Sequence, residues 1–264
     1  MKGSNTKVNR YNFKKNKRKL ILHSRIAAIS VVAAILIVGS VYFFHRPAKV
    51  DTIKGLSLIH SYEKKEVSSI ESKIVSMEAQ EKFAEFQAGN ISLKEMFASS
   101  VIMGDSITEG FSAYDILNAN SVIAKIGGSL TDLSEQYEQL KQINPPTIFL
   151  SYGLNDILNT NGDTNTFTQN YLNFITQIQQ DFPNAKIYVN SIFPVQQCAI
   201  VKKPALAYIS SYNEALQNLC SDVGVTFIDN TSLVSENYYG EDGIHFNADF
   251  YPIWASHMLE VSLS

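Results

Sequence analysis

Hydrophobic and polar positions divide the chain into three parts. Residues 26–44 form an uncharged, almost wholly apolar run, and nineteen helical residues span roughly 28 Å, about one hydrocarbon core. Residues 51–88 are polar and charged, but four apolar residues recur there at heptad spacing, namely Val67, Ile70, Ile74 and Met77. This spacing predicts a stalk helix that carries a seam of about two heptads.

Beyond residue 98, short apolar runs alternate with longer polar segments of helical periodicity. This alternation is typical of an α/β domain in which helices cover both faces of a parallel sheet. The apolar runs predict strands at Val101–Met103, Val122–Ile126, Thr147–Ser151, Ile187–Ser191 and Thr226–Ile228. The segments between them predict helices near 131–142, 166–181, 205–221 and 247–260.

Two interpretations of the stalk seam stay open. The seam could pair with a second copy as a short coiled coil, giving a stalk-mediated dimer, although sustained coiled coils need three or four heptads. A single amphipathic helix that leans on the domain is the simpler interpretation. Gly89-Asn90 is expected to end this helix, and Ser92 with Glu95 forms a capping box for a short helix after it.

The basic and acidic residues are unevenly distributed between the first 50 residues and the rest of the chain. Of the 22 Lys and Arg residues, 11 lie in residues 1–50, which contain no acid, whereas the rest of the chain carries 11 Lys against 25 Asp and Glu. No arginine follows Arg46. Phosphate binding needs clustered basic residues, so the acidic main domain argues against nucleic acid as a partner. The missing guanidinium groups favour a neutral substrate.

The basic residues ahead of the apolar run set its expected orientation. By the positive-inside rule they stay in the cytoplasm, and the rest of the chain lies outside. A cleaved signal peptide would have a shorter apolar region and a small-x-small cleavage site, which does not follow Phe44. A buried core helix would not need the basic flank. The sequence therefore predicts a single-pass cell-membrane protein with four parts: a basic cytoplasmic tail (1–25), an anchor (26–44), a largely helical stalk (45–98) and an extracytoplasmic domain (99–264).

The two cysteines, Cys198 and Cys220, belong to the part expected to face an oxidising exterior. Two cysteines do not define a disulfide framework, and the sequence does not fix their proximity. A disulfide and two free thiols both stay open.

Four short motifs carry groups with chemical function. Three of them follow predicted strands, where ligands bind in parallel sheets: Gly104-Asp105-Ser106, Gly127-Gly128 and Gly153-Leu154-Asn155-Asp156. The fourth, Asp242-Gly243-Ile244-His245, lies near the end of the chain. A serine hydroxyl needs an imidazole to take its proton, and a carboxylate fixes the tautomer of that imidazole. Ser106, His245 and Asp242 supply these groups, and Gly243 suits the turn that would bring the last two together.

In this order the motifs resemble the four blocks of the SGNH (GDSL) hydrolase family, over roughly residues 98–262. The resemblance implies a flavodoxin-like three-layer α/β/α fold. It implies that Ser106 is the nucleophile, His245 the general base and Asp242 its orienter. It also implies an oxyanion hole made of the Ser106 N–H, the Gly128 N–H and the Asn155 amide, with Gly104, Asp105 and Gly153 as supporting motif residues.

Each motif residue also has a structural explanation. Asp105 and Ser106 could cap a helix, Gly127 and Gly128 could form a turn, and Asn155 could form an Asx turn. Four coincidences in the right order are less plausible than one active site. Asp156 and Glu109 are expected to make local hydrogen bonds, and His257 to pack on the last helix.

Other catalytic classes lack support. The sequence contains no H-E-x-x-H, Cys/His cluster, P-loop, G-x-G-x-x-G or G-x-S-x-G motif, so we expect no metal and no cofactor. The resemblance implies a serine esterase, but the family motifs do not separate its substrates. No second long apolar segment follows residue 98 and the segment 194–204 is largely polar, so we expect acetyl or short acyl esters, with O-acetylated envelope or dietary polysaccharide as the first substrate. A lipid esterase or lysophospholipase is the second interpretation. A polysaccharide O-acetyltransferase with a membrane acyl-delivery partner is the third, and a non-catalytic binding module fits the intact triad least well.

Overall fold

The computed structural model describes residues 5–44 and 52–263. The chain forms two compact units, Met1–Ser68 and Ser69–Ser264. The long helix α1 (Asn5–Phe44) belongs to the first unit. Within it, the 22 residues His23–Phe44 contain an 18-residue window that has a mean hydropathy of 2.5 and is not buried by the protein. At 1.5 Å per residue they span about 33 Å, so this helix is long and apolar enough to cross a membrane. A signal sequence has the same properties.

Helix α2 (Thr52–Gln87) is the predicted stalk helix. It ends just before Gly89, which has a φ of 78°. This is the left-handed conformation, which glycine adopts without strain. The four seam residues, Val67, Ile70, Ile74 and Met77, are all exposed to solvent. The C-terminal part of α2 contacts the domain, because Phe83 and Phe86 pack against its core. Both interpretations of the seam stay predictions. The capping box is confirmed, because Ser92 and Glu95 bond reciprocally at the start of α3 (Leu93–Met96).

The rest of the second unit alternates strands and helices. The strands are β1 (Ser100–Gly104), β2 (Val122–Ala124), β3 (Thr147–Ser151), β4 (Lys186–Asn190) and β5 (Thr226–Ile228). The helices are α4 (Ser106–Ala113), α5 (Ser134–Ile143), α6 (Leu154–Thr160), α7 (Thr164–Asp181), α8 (Gln197–Lys202), α9 (Ile209–Val223) and α10 (Phe250–Leu263).

All five strands are parallel and lie in the order β2-β1-β3-β4-β5. This is the strand order of a doubly wound, flavodoxin-like sheet, the fold that the family resemblance implies. The order reverses between β1 and β3, so the loops after these two strands diverge and leave a crevice at their carboxyl ends. The nucleophile motif follows β1 and the Asn155 motif follows β3.

The strands read as continuous apolar runs because both faces of the sheet are covered. In β3, for example, Ile148, Phe149 and Leu150 are all fully buried although successive side chains point to opposite faces. Phe149 packs against the rings of Phe97 and Tyr188 on one face. The resulting core is continuous through the domain and makes the strand ends a rigid frame for the site.

Two groups of predictions were wrong in detail. Strand β2 ends at Ala124 rather than at Ile126, because the chain turns at Gly127 (φ 71°) and leaves Ile126 exposed. Helices α4, α6 and α8 were not predicted, since each has eight residues or fewer and shows too little periodicity to detect. The strands β3 and β5 have their predicted bounds.

Candidate active site

Ser106 lies where β1 passes directly into α4. Asp105 is the N-cap of this helix, and its Oδ1 accepts a hydrogen bond from the backbone N–H of Ile107 at 3.0 Å. Ser106 is therefore the first helical residue, and its backbone N–H belongs to the turn that has no intrahelical acceptor. Gly104 lets the end of β1 pack closely against the end of β3, because a Cβ at this position would lie 2.6 Å from the carbonyl oxygen of Ser151. The local sequence thus places a hydroxyl and a free N–H at the crevice.

Asp242 and His245 lie on one loop, here called the acid–base loop (residues 239–246). A β-bridge between Tyr239 and Phe246 closes the loop, and the Gly240 N–H donates to the His245 carbonyl oxygen at 2.7 Å. Its closed ends hold the loop in a hairpin-like shape. This is the turn that the sequence predicts between Asp242 and His245, because residues three positions apart on a strand would point to opposite faces.

The carboxylate of Asp242 organises the imidazole. Its Oδ1 accepts from the backbone N–H groups of Ile244 at 2.9 Å and His245 at 3.0 Å, and its Oδ2 lies 2.6 Å from His245 Nδ1. Partial burial opposes ionisation, but the hydrogen bonds from His245 and from these backbone groups outweigh it and lower the pKa of Asp242 to about 2. Asp242 is therefore ionised at neutral pH.

The other ring nitrogen of His245 faces the serine. The distance from His245 Nε2 to Ser106 Oγ is 2.9 Å, within hydrogen-bonding range. The structure thus brings together Ser106, His245 and Asp242, separated by up to 139 positions in the sequence, in one continuous hydrogen-bonded chain. The side chains of both His245 and Asp242 remain 45% exposed, so the site is open to solvent.

The two remaining motifs adjoin this chain. Gly153, with φ of 141°, turns the chain from β3 into α6 and places Asn155 in its first turn. The Asn155 amide nitrogen donates to the Gly128 carbonyl oxygen at 3.0 Å and lies 3.3 Å from Asp105 Oδ2. All three predicted oxyanion residues are therefore next to the nucleophile motif.

The Gly128 N–H has a partner that the sequence did not predict. It donates to the carbonyl oxygen of Lys125 at 2.9 Å, closing a turn after β2. The role of the Gly128 N–H as an oxyanion donor thus requires that it turn toward, or be shared with, an incoming substrate. Unliganded sites often hold such donors in looser or different contacts than the reacting complex does.

Two buried carboxylates support the site from behind. Asp105 and Asp156 are both nearly inaccessible to solvent, and burial raises the pKa of each to about 6. The expectation of a local hydrogen bond for Asp156 is wrong. Its Oδ1 accepts from the backbone N–H of Leu130 at 3.0 Å, 26 positions earlier. Asp156 therefore fastens the segment that follows Gly128, a contact with no signal in the local sequence.

Three further titratable residues take no part in the hydrogen-bonded chain from Ser106 to Asp242. Cys198 is an exposed free thiol and Cys220 a buried free thiol, so no disulfide joins them. His257 is partly buried on α10, as expected, with Nε2 3.2 Å from the Asp229 carbonyl oxygen. Among the described residues, no three His, Cys, Asp or Glu side chains are grouped so that they could hold a metal ion.

Comparisons with known proteins agree with the fold. The sequence model of the GDSL-like Lipase/Acylhydrolase family matches residues 102–253. A GDSL-like lipase from Bacteroides thetaiotaomicron is structurally similar, with a TM-score of 0.51 and 17% identity over 69% of this chain and 96% of that chain. A carbohydrate esterase family 3 structure from Talaromyces cellulolyticus has a TM-score of 0.50 and 15% identity over 62% of this chain and 95% of that chain.

Comparison with curated protein sequences finds no match. The identities to the solved structures are low enough that these structures show the fold alone. The family match is more informative, because it extends over more than half of the chain and includes the nucleophile motif and the acid–base loop. The chain therefore belongs to the GDSL-like lipase/acylhydrolase family of serine ester hydrolases.

Proposed function

We propose that Ser106 is the nucleophile, His245 the general base and Asp242 its orienter in the hydrolysis of acetyl and other short acyl esters. The observation that carries this proposal is the continuous hydrogen-bonded chain from Ser106 Oγ through His245 to Asp242. In this geometry His245 Nε2 takes the proton as Ser106 Oγ attacks the ester carbonyl carbon. The ionised Asp242 stabilises the imidazolium that forms.

The carbonyl oxygen becomes an oxyanion during the attack. The Ser106 N–H, the Gly128 N–H and the Asn155 amide are the donors that we assign to it. When the tetrahedral intermediate collapses, the imidazolium returns its proton to the leaving alkoxide, and an acyl-enzyme remains on Ser106. Water activated by His245 then releases the acid. Each donor aimed at the oxyanion is worth about 3–4 kcal/mol.

Site-directed variants test this mechanism. Ser106→Ala is expected to lower kcat about 10⁴-fold or more, and its loss should not add to that of His245→Ala, because both act on one proton-transfer path. Asn155→Ala should lower kcat by about 10²–10³-fold. Ser112→Ala, an exposed serine of the same helix as Ser106, is the matched control. Parent-like kcat in Ser106→Ala would eliminate the mechanism.

The preferred substrate is an O-acetylated polysaccharide of the envelope or the diet. The half-exposed side chains of His245 and Asp242 support a substrate that remains largely in solvent. The segment 194–204 beside the acid–base loop also supports it, because it mixes amide and ammonium groups with few large apolar residues. One similar structure is a carbohydrate esterase, which agrees with this choice.

A lipid ester is the second candidate, and two exposed apolar side chains favour it. Ile126 lies just before Gly128 and is 74% exposed, and Val201 on α8 is 72% exposed. Initial rates on acetyl, butyryl, octanoyl and palmitoyl esters decide between the candidates, because each buried methylene of a preferred long chain would contribute about 0.8 kcal/mol. We expect kcat/KM to be highest for acetyl. A maximum at octanoyl or beyond would favour the lipid substrate.

The acceptor of the acyl group also needs a test. A sugar hydroxyl could resolve the acyl-enzyme in place of water, which would make the protein an O-acetyltransferase supplied by a membrane acyl donor. Product analysis with an acetyl ester and a soluble oligosaccharide distinguishes the two. Free acetate as the sole product supports hydrolysis.

For the organisation of the chain we propose a single-pass anchor at residues 26–44, a cytoplasmic tail, a stalk at 45–98 and an extracytoplasmic domain from 99. The apolar window of α1 and the basic residues before it support this topology. The exposed α2 seam is the surface that would pair in a stalk-mediated dimer. Protease added outside intact cells should digest the domain, and protection would contradict the orientation.

A further inference from the structure

Gln136 is a buried polar residue that belongs to none of the four motifs. It lies on α5 and is only 2% exposed. Its amide nitrogen donates two hydrogen bonds to backbone carbonyl oxygens, to Gly104 at 2.9 Å and to Ile123 at 3.1 Å. These two acceptors belong to neighbouring strands, so one side chain links the ends of β1 and β2.

The position of this link matters for the site. The paired register of β1 and β2 ends at Gly104 and Ala124. Beyond it, β1 leads to Ser106 after two residues, and β2 leads through Lys125 to Gly128. Gln136 therefore fastens the two strands at the last point before they diverge toward two of the proposed oxyanion donors.

The other end of the amide faces Gly128. A Cβ built on Gly128 would lie 3.5 Å from Gln136 Oε1, so this oxygen lies close to the turn that carries the Gly128 N–H. Gln136 Oε1 is buried and makes no hydrogen bond of normal length among the described residues, and the side chain lies near the Tyr152 hydroxyl, which is also buried. Burying an unpaired amide oxygen destabilises a protein, whereas a methionine of similar length would avoid that penalty but lose the two hydrogen bonds to Gly104 and Ile123. Packing alone does not explain a glutamine here.

We propose that Gln136 is a positioning residue for the oxyanion hole. It fixes the separation between the Ser106 and Gly128 N–H groups by joining the ends of β1 and β2 and by supporting the Gly128 turn. This inference rests on the proposed esterase function. It assigns a role to a residue that touches neither the substrate nor the reacting atoms.

The test compares Gln136→Met with Gln139→Met in the full-length protein. Both variants replace a glutamine of α5 with a side chain of equal length, but Gln139 is exposed and lies outside the site. We expect Gln136→Met to lower kcat for an acetyl ester by about 10–10²-fold with KM within about twofold, since the loss of a whole donor costs about 10²–10³-fold. Gln139→Met should match the parent.

A second measurement separates positioning from general stability. A trifluoromethyl ketone forms a tetrahedral oxyanion adduct on the serine, whereas the corresponding secondary alcohol does not. For Gln136→Met, the inhibition constant of the ketone should rise by the same factor as kcat/KM falls. The inhibition constant of the alcohol should not change. Rates are expressed per active site titrated with a phosphonate, so a smaller folded fraction does not imitate the effect.

Several outcomes would overturn the inference. One is a parent-like kcat per titrated site in Gln136→Met, and another is equal weakening of ketone and alcohol binding. If neither Gln136→Met nor Gln136→Leu folds, the residue serves the fold and the positioning role is refuted. Absence of ester hydrolysis by the parent would instead refute the proposed function, so the two failures are distinguishable.

Discussion

Replacement of Gly243 by alanine tests the acid–base loop most directly. Gly243 lies between Asp242 and His245 with φ of 73°, and its carbonyl oxygen accepts from the Gln196 N–H at 2.9 Å. An added Cβ would lie 2.6 Å from Cys198 Sγ and 2.9 Å from Gln196 Cβ. The tip of the loop is thus packed so closely on the start of α8 that one methyl group has no room.

The expected loss follows from two separate effects. An L-residue in the left-handed conformation costs about 1–2 kcal/mol, which lowers stability. Nonbonded heavy atoms normally approach to about 3.5–4.0 Å, so the methyl group must displace the loop or the sulfur by about 1 Å. The 2.9 Å contact between Ser106 and His245 would be lost by such a shift of the loop. A misplacement of about 1 Å can lower a rate by about 10²-fold.

The assay is kcat for an acetyl ester, together with urea unfolding of the same preparations. Gly224→Ala is the matched control, because Gly224 has nearly the same φ, 71°, but a Cβ there would meet nothing within 4 Å. We expect Gly224→Ala to lose about 1–2 kcal/mol of stability and Gly243→Ala to lose at least as much, because its methyl group also meets Cys198 and Gln196. Gly243→Ala alone should lose about 10²-fold in kcat.

A second substitution identifies the cause. In Cys198→Ala/Gly243→Ala the sulfur that meets the methyl group is gone, so part of the lost kcat should return, while Cys198→Ala alone should match the parent. A parent-like kcat in Gly243→Ala would refute the reasoning. An equal loss of kcat in Gly224→Ala would assign the effect to the backbone conformation rather than to the displaced loop.

Three further predictions concern titratable groups. Burial raises the pKa of Asp156 from 3.8 to about 6, so its contribution to stability is present below about pH 4 and is lost as pH rises through 6, by an amount on the order of 3 kcal/mol. The free energy of unfolding, measured in urea between pH 4 and 8, should therefore depend less on pH in Asp156→Asn than in the parent. The same pH dependence in both proteins would contradict a raised pKa for Asp156. Asp242 is ionised throughout that range, so Asp242→Asn should lower kcat by about 10²–10⁴-fold at every pH tested, and recovery at any of them would exclude its role. A thiol reagent should label only Cys198 in the native protein, because burial raises the pKa of the Cys220 thiol to about 12. After unfolding, it should label both cysteines. Rapid labelling of two thiols in the native protein would contradict the burial of Cys220 on α9.

The strands were the most predictable part of this fold. In β3 the apolar run coincides with the strand because both faces are buried. In β5, whose first residue Thr226 is exposed, the strand ends where the polar residues Asp229 and Asn230 begin. The run after Val122 was misleading, since Ile126 is apolar but exposed. An apolar side chain on a functional loop looks the same in the sequence as one in a strand. The short helices α4 and α6 follow motif residues and lack the length from which periodicity is detected.

Contacts in the site could be predicted from the sequence where one side chain bonds to another side chain, because both partners are then distinctive residue types. Ser106, His245 and Asp242 could be identified in this way. Asp156 and Gln136 bond to backbone groups of Leu130, Gly104 and Ile123 instead. Every non-proline residue offers the same N–H and C=O, so the sequence carries no sign of which backbone group is the partner. That choice is made only when the sheet places the ends of β1 and β2 beside α5.

This difference affects how the site tolerates change. A motif side chain such as His245 acts at one atom, so its replacement removes one step of the reaction. A side chain that holds backbone, such as Gln136, acts on the spacing of two strand ends, so its replacement moves every donor carried by them at once. Two of the three proposed donors are backbone groups, at Ser106 and Gly128, and cannot be deleted by ordinary substitution, whereas the third, the Asn155 amide, can. Their geometry is therefore accessible to mutation mainly through the residues that hold them, which makes the α5 face beneath the crevice the place to probe the oxyanion hole.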